Sequence, residues 1–158
     1  MNINKRYVKM GIIVGILVLI DQIIKAIVGY CNGSIIIQNF LKLTVVENTG
    51  GAFGIVSNSP FFLILTSALV LGIITKFIIS QKDRIDNKTL VALSLVLAGG
   101  LSNLIDRIYK GFVLDYIDIR DLINFPVFNI ADIYVTIGVI TLLVLISIYT
   151  IKEVKIKK

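Results

Sequence analysis

The sequence predicts an all-α membrane protein: a four-transmembrane-helix bundle with a small extracytoplasmic β-rich subdomain and both termini cytoplasmic. Three observations predict it. The 158 residues are 56% hydrophobic with a mean hydropathy of +0.92, far more apolar than a soluble domain of this length. Four stretches are long and apolar enough to cross a bilayer: Met10 to Val28, Pro60 to Ser80, Thr89 to Ile108 and Ala131 to Ile151. Eleven of the sixteen Lys and Arg fall in three places that four spans put on one side. Lys5, Arg6 and Lys9 precede span one; Lys76, Lys82, Arg84 and Lys88 end span two and fill the next loop; Lys152, Lys155, Lys157 and Lys158 follow span four. The positive-inside rule makes that side cytoplasmic.

Span one has a basic start and an apolar run, as a removable signal does. Asp21, Gln22 and Lys25 interrupt the run, and Tyr30 is too large for a cleavage site before Cys31. It is expected to be a retained helix. Cys31 is the only cysteine, so no internal disulfide can form. Within the first outer loop, residues 29–59, the stretch Ile35 to Val46 is β-branched and partly alternating, which predicts a short strand or hairpin at the membrane surface. Asn48-Thr49-Gly50-Gly51 supplies turn chemistry after it. Pro60 opens span two, where its missing N–H costs nothing. The short link 81–88 makes spans two and three antiparallel neighbours. In span three Ser94, Ala98 and Ser102 recur every four residues beside Gly99 and Gly100, the pattern of a close helix-packing seam. The second outer loop, 109–130, holds Asp115, Asp118, Arg120 and Asp121, then Asn124-Phe125-Pro126. The chain is expected to be one domain, 1–158.

The chain has no histidine, which excludes Ser-His-Asp and Cys-His catalysis and any His-ligated metal. Its net charge of +6 is juxtamembrane, so topology and anionic lipid explain it and nucleic-acid binding is not expected. The acids lie mostly on the other side. Asp21, Glu47, Asp106, Asp115, Asp118, Asp121 and Asp132 all fall in the outer loops or outer half-spans. A pair of carboxylates working as acid and base on water survives the loss of imidazole.

Several constellations could carry such chemistry. Asp21 and Lys25 are one helical turn apart in span one, and a charge in hydrocarbon costs at least roughly 2.5 kcal/mol. Mutual neutralisation and support of a site is the preferred role. Asn48, in Glu47-Asn48-Thr49-Gly50-Gly51-Ala52-Phe53-Gly54, has an amide that could meet a substrate backbone. Asn103, Asp106 and Arg107 end span three as a polar shell or an interfacial anchor. Asp132 opens span four, where the helix dipole alone favours an acid, and Asn129 is placed to cap or orient it. Spacing does not choose among Asp115, Asp118 and Asp121 as its partner. Asp115, flanked by Leu114 and Tyr116, has the drier setting.

These blocks resemble those of the bacterial lipoprotein signal peptidases, or signal peptidase II: Asp21-x-x-x-Lys25; Asn48 through Phe53; Asn103-Leu-Ile-Asp-Arg107; Val113-x-Asp115-Tyr-Ile; and Phe125-Pro-x-Phe-Asn129-x-Ala-Asp132. The resemblance covers essentially the whole chain. It implies a membrane aspartic endopeptidase that removes signal peptides from diacylglyceryl-modified prolipoproteins, cutting just before the lipidated cysteine. It implies Asp115 and Asp132 as the catalytic dyad. Asn48, Asn103, Arg107 and Asn129 are implied as the polar residues around the dyad, with Asp21 and Lys25 as a supporting pair. A small outer β-cradle, no cofactor and no metal are implied as well. The partners expected are the lipidated substrate and membrane lipid, with no nucleic acid, for a monomer in the bacterial cytoplasmic membrane whose site faces outward. Two rivals are kept. A Ser-Lys protease would use Lys25 as base, and a small transporter or ion-conducting bundle would line a path with the intramembrane charges.

Overall fold

The computed structural model describes residues 3–31, 36–37, 41–50 and 59–156. Its elements are α1 (Ile3–Tyr30), β1 (Ile36–Ile37), β2 (Leu41–Asn48), α2 (Pro60–Ser80), α3 (Asn87–Lys110), β3 (Val113–Asp118) and α4 (Ile130–Ile156). The four helices are each long and apolar enough to cross a membrane, so the chain is a multi-pass membrane protein. They extend beyond the predicted spans. α1 begins at Ile3 rather than Met10 and α4 runs past Ile151, because helical backbone continues into polar sequence at the bilayer edge.

α3 is the central helix. Most of its span is buried, and it packs against α1, α2 and α4. The other three helices turn most of their apolar surface outward, with Ile12, Leu65 and Leu143 each more than half exposed. In a membrane that surface meets lipid and needs no protein cover. The small-residue seam is real: Ser94, Ala98 and Ser102 are all buried. Glycines set the closest approach of α3 to α4. A Cβ on Gly99 would run into the Ala131 carbonyl, and one on Gly138 would lie 2.7 Å from the Ala92 carbonyl. Gly100 lets Leu71 of α2 approach on another face.

Helix ends are tied down locally. Ser59 caps α2 and Pro60 occupies its first turn. Asp86 caps α3 by accepting the Lys88 and Thr89 N–H groups. It also accepts the Tyr149 hydroxyl at 2.9 Å, while Tyr7 donates to the Lys82 carbonyl at 2.7 Å. These bonds gather the basic ends of α1, α2, α3 and α4 on one face of the bundle. Burial raises the Asp86 carboxyl, but the bonds from Thr89, Tyr149 and Lys88 outweigh it and hold the group at about 2.

The sheet lies at the opposite end, in the order β1-β2-β3, with both pairings antiparallel. Of the strand or hairpin expected at 35–46, residues 36–37 form β1 and pair antiparallel with β2, which begins at Leu41 and continues to Asn48; residues 35 and 38–40 lie outside the described residues. Residues 51–54 of the predicted turn lie outside the described residues. Within the second outer loop, residues 113–118 form β3 and carry Asp115. Alternation failed to signal β3 because it is covered on both faces; Val113, Leu114, Asp115 and Tyr116 are all buried. Gly111, at φ 81, caps α3 in the left-handed region, which a glycine adopts without strain and which turns the chain into β3.

Gly99→Ala should lower stability by about 1–3 kcal/mol, since the Ala131 backbone cannot yield. Gly11→Ala, whose methyl would meet nothing within 4 Å, should not. Thermal melting of the two variants in detergent checks the contrast.

Candidate active site

Asp115 lies on β3, and Asp132 lies in the first turn of α4. The chain between them returns to the strand. Phe128 pairs with Ile117, accepting the Tyr116 and Ile117 N–H groups at 3.0 and 2.7 Å and donating to the Ile117 carbonyl at 3.1 Å. That bridge brings Asn129 beside Asp115 just before α4 begins.

Asn129 then touches both carboxylates. Its Nδ2 donates to Asp115 Oδ1 at 2.6 Å, and its backbone N–H donates to Asp132 Oδ2 at 3.0 Å. Its Oδ1 accepts the Asp132 N–H at 3.0 Å. The reciprocal pair is a helix cap that also orients the acid. Asn48, at the end of β2, donates Nδ2 to Asp115 Oδ2 at 2.8 Å while its Oδ1 accepts the Gly50 N–H. Asn103, on α3, donates Nδ2 to Asp132 Oδ1 at 2.8 Å. Its Oδ1 accepts from Lys25 Nζ at 2.9 Å. An ammonium only donates, so this bond fixes which way the Asn103 amide faces.

Lys25 and Asp21 are buried, at 1% and 0% exposure. Lys25 spends all three of its hydrogens, on Asn103, on Asp21 Oδ2 at 2.8 Å and on Asp106 Oδ2 at 2.9 Å. A lysine so committed to three acceptors is held away from a serine, which counts against the Ser-Lys arrangement. Arg107 lines the same cavity as the two carboxylates, and its Nε is buried with no partner among the described residues.

Geometry separates the three loop acids by their partners. Asp118 makes a two-bond fork with Arg120 at 2.9 and 2.6 Å. Asp121 pairs with Lys42 at 2.7 Å. Both are neutralised away from Asp132. The Arg120 bonds hold Asp118 at about 2, the state of a permanent anion. Asp115 differs. Burial pushes its carboxyl up to about 6, opposed by bonds from Asn48 and Asn129 and assisted by the charge of Asp132.

Three residues of the network were not picked out as site residues from sequence. Asp106 pairs with Lys25 and Lys110. Ser102, read as packing, also donates to Asp21 at 2.6 Å, and Gln22 donates to Ser102 and Asp106. The available signal was charge arithmetic, since Asp106 stands one turn from Asn103 on a helix facing Lys25.

Asp115 and Asp132 face a common cavity of about 700 Å³. α3 forms its back wall with Val96, Gly100 and Asn103, and its sides come from Thr66, Val70 and Ile74 of α2 and Ile133 and Ile137 of α4. Phe125 to Phe128 line it as well. Among the described residues no group of three or more His, Cys, Asp or Glu is placed to hold a metal.

Comparison with known proteins adds to this geometry. The family model described as signal peptidase (SPase) II matches residues 13–149. The chain belongs to the signal peptidase II family. The lipoprotein signal peptidase of Streptococcus pneumoniae is 37% identical over 148 residues, covering 89% of this chain and 93% of that one. That of Staphylococcus haemolyticus is 36% identical over 148 residues, covering 89% and 92%. A solved bacterial membrane enzyme superposes with a TM-score of 0.79 at 34% identity, over 95% of this chain and 92% of that one. Signal peptidase II membership makes this chain a membrane peptidase, and the transporter reading is not favoured.

The raised Asp115 group has a consequence for stability. The folded chain holds this proton more tightly than the unfolded one, whose carboxyl keeps the ordinary value of 3.8. Stability from this group is therefore present below about pH 4 and is lost as pH rises through about 6. Melting temperatures measured from pH 4 to 7 should fall more steeply for the wild type than for Asp115→Ala.

Proposed function

We propose that this peptidase removes signal peptides from diacylglyceryl-modified prolipoproteins, with Asp115 and Asp132 as an aspartic catalytic pair. The observation that carries the reading is Asn129, one residue bonded to both carboxylates at the rim of a largely apolar cavity. The names of the relatives support the substrate class.

The mechanism follows from the pair's setting. Two close carboxylates, Asp115 buried and Asp132 half-buried, share one proton more cheaply than they bear two charges. The ionised member takes a proton from water, and the water oxygen attacks the scissile carbonyl. The protonated member gives its proton to the developing oxyanion and then to the leaving nitrogen. The titration belongs to the pair rather than to either residue. Asn48, Asn103 and Asn129 hold the oxygens of the pair still, and Arg107, which lines the same cavity, sets a positive charge near the one that develops. The apolar cavity between α2 and α4 takes the acyl chains, leaving the peptide to cross the pair. The membrane is the bacterial cytoplasmic membrane, with the basic end of the bundle inside and the carboxylates toward the outer face. The chain acts as one domain spanning residues 1–158.

Asp115→Asn and Asp132→Asn should each lower cleavage of a diacylglyceryl prolipoprotein by about 10³-fold or more. The lipidated precursor should accumulate, as read by gel mobility. Wild-type cleavage by either variant would defeat the reading.

A further inference from the structure

Asp106 takes no part in the chemistry above, yet its side chain is fully buried and every oxygen lone pair is occupied. Oδ1 receives Lys110 at 2.7 Å and Gln22 at 3.3 Å. Oδ2 receives Lys25 at 2.9 Å and the backbone N–H of Leu114 at 3.3 Å. Leu114 is the residue before Asp115. Across the same ammonium, Asp21 repeats the arrangement. Its Oδ2 receives Lys25 at 2.8 Å, and its Oδ1 receives the Ala131 N–H at 3.1 Å. Ala131 is the residue before Asp132. A single cation therefore holds two carboxylates, each gripping the peptide N–H immediately ahead of one member of the pair.

On the reading of Asp115 and Asp132 as the catalytic pair, we infer that Asp106 is a positioning residue. With Lys25 and Asp21 it forms a clamp that sets the distance between β3 and the start of α4, and so between the two reacting carboxylates. The clamp has a purpose that packing alone does not meet. β3 and α4 are separate elements joined through residues 119–129, and their direct links are the Phe128 bridge, the Asn129 amide on Asp115 and the Ile130 N–H on the Tyr116 hydroxyl, all at the loop side of the pair. A misplacement of about 1 Å at reacting atoms costs on the order of 10²-fold in rate. Three bonds of 2.8–2.9 Å to one buried ammonium resist such drift better than apolar contacts, which have no direction.

The test uses the full chain in bicelles with a diacylglyceryl prolipoprotein, reading kcat and KM separately, together with thermal melting. Asp106→Asn keeps the shape but offers one acceptor oxygen where there were two. It should lower kcat about 30–300-fold with KM within about threefold. Ser102→Ala removes the 2.6 Å bond onto Asp21 and retains a good helix former. It should lower kcat about 3–30-fold, again with KM held and melting little changed. A purely structural role would lower melting and leave kcat per folded molecule untouched. Wild-type kcat in a folded Asp106→Asn, or in Ser102→Ala, overturns the clamp; if Asp106→Asn does not fold, Ser102→Ala decides. Asp115→Asn and Asp132→Asn run alongside. If both are inactive while the clamp variants cleave normally, the clamp alone falls. If both cleave normally, the catalytic reading falls and takes the clamp with it.

Discussion

A charge inside a bilayer must be neutralised where it stands, because water is not there to do it. That constraint organises this molecule. Lys25 is buried in α1 and reaches Asp21, Asp106 and Asn103, so a cation on one helix dictates what α3 presents at the same depth. Asn103 then has only one face left to offer, and Asp132 receives it. The chain of consequences runs from a single ammonium to the orientation of an acid on another helix. Each link is a bond whose direction is set by which atoms can donate.

Polar chemistry of this kind needs close backbones, and α3 provides them. Its buried face is built from Ser94, Ala98, Gly99 and Ser102, which let α4 approach until glycine hydrogens meet carbonyl oxygens. The same face carries the hydroxyl of Ser102 and the amide of Asn103. Packing and a polar network reaching Asp21 and Asp132 are thus two uses of one helix surface. Enlarging a residue for tighter packing would displace the Ala131 turn that precedes Asp132.

Much of this could be read from sequence because hydrocarbon is an unforgiving solvent. The four spans stand out by length and apolarity. Asp21 and Lys25 stand out because charges there are rare. β3 escaped notice because a strand covered on both faces loses its alternation, and Val113 to Tyr116 show none. Spacing alone left Asp115, Asp118 and Asp121 open, and the family resemblance named Asp115. The difference lies in which acids meet Arg120 and Lys42, and those partners are placed by the sheet. Asp106 and Ser102 were visible as residues but not as participants, because their partners lie on α1, some 80 positions earlier in the chain.

α2 touches α3 and has no contact with α4 among the described elements, although both wall the cavity. The gap between them is flanked by exposed apolar side chains, Leu69 and Ile73 of α2 and Ile137 and Ile140 of α4. On the proposed function, a membrane-anchored client entering through that gap makes a two-dimensional search. Its frequency scales with how many client molecules share each square micrometre of membrane, so diluting the cells or swelling the surrounding fluid leaves the encounter rate unaltered.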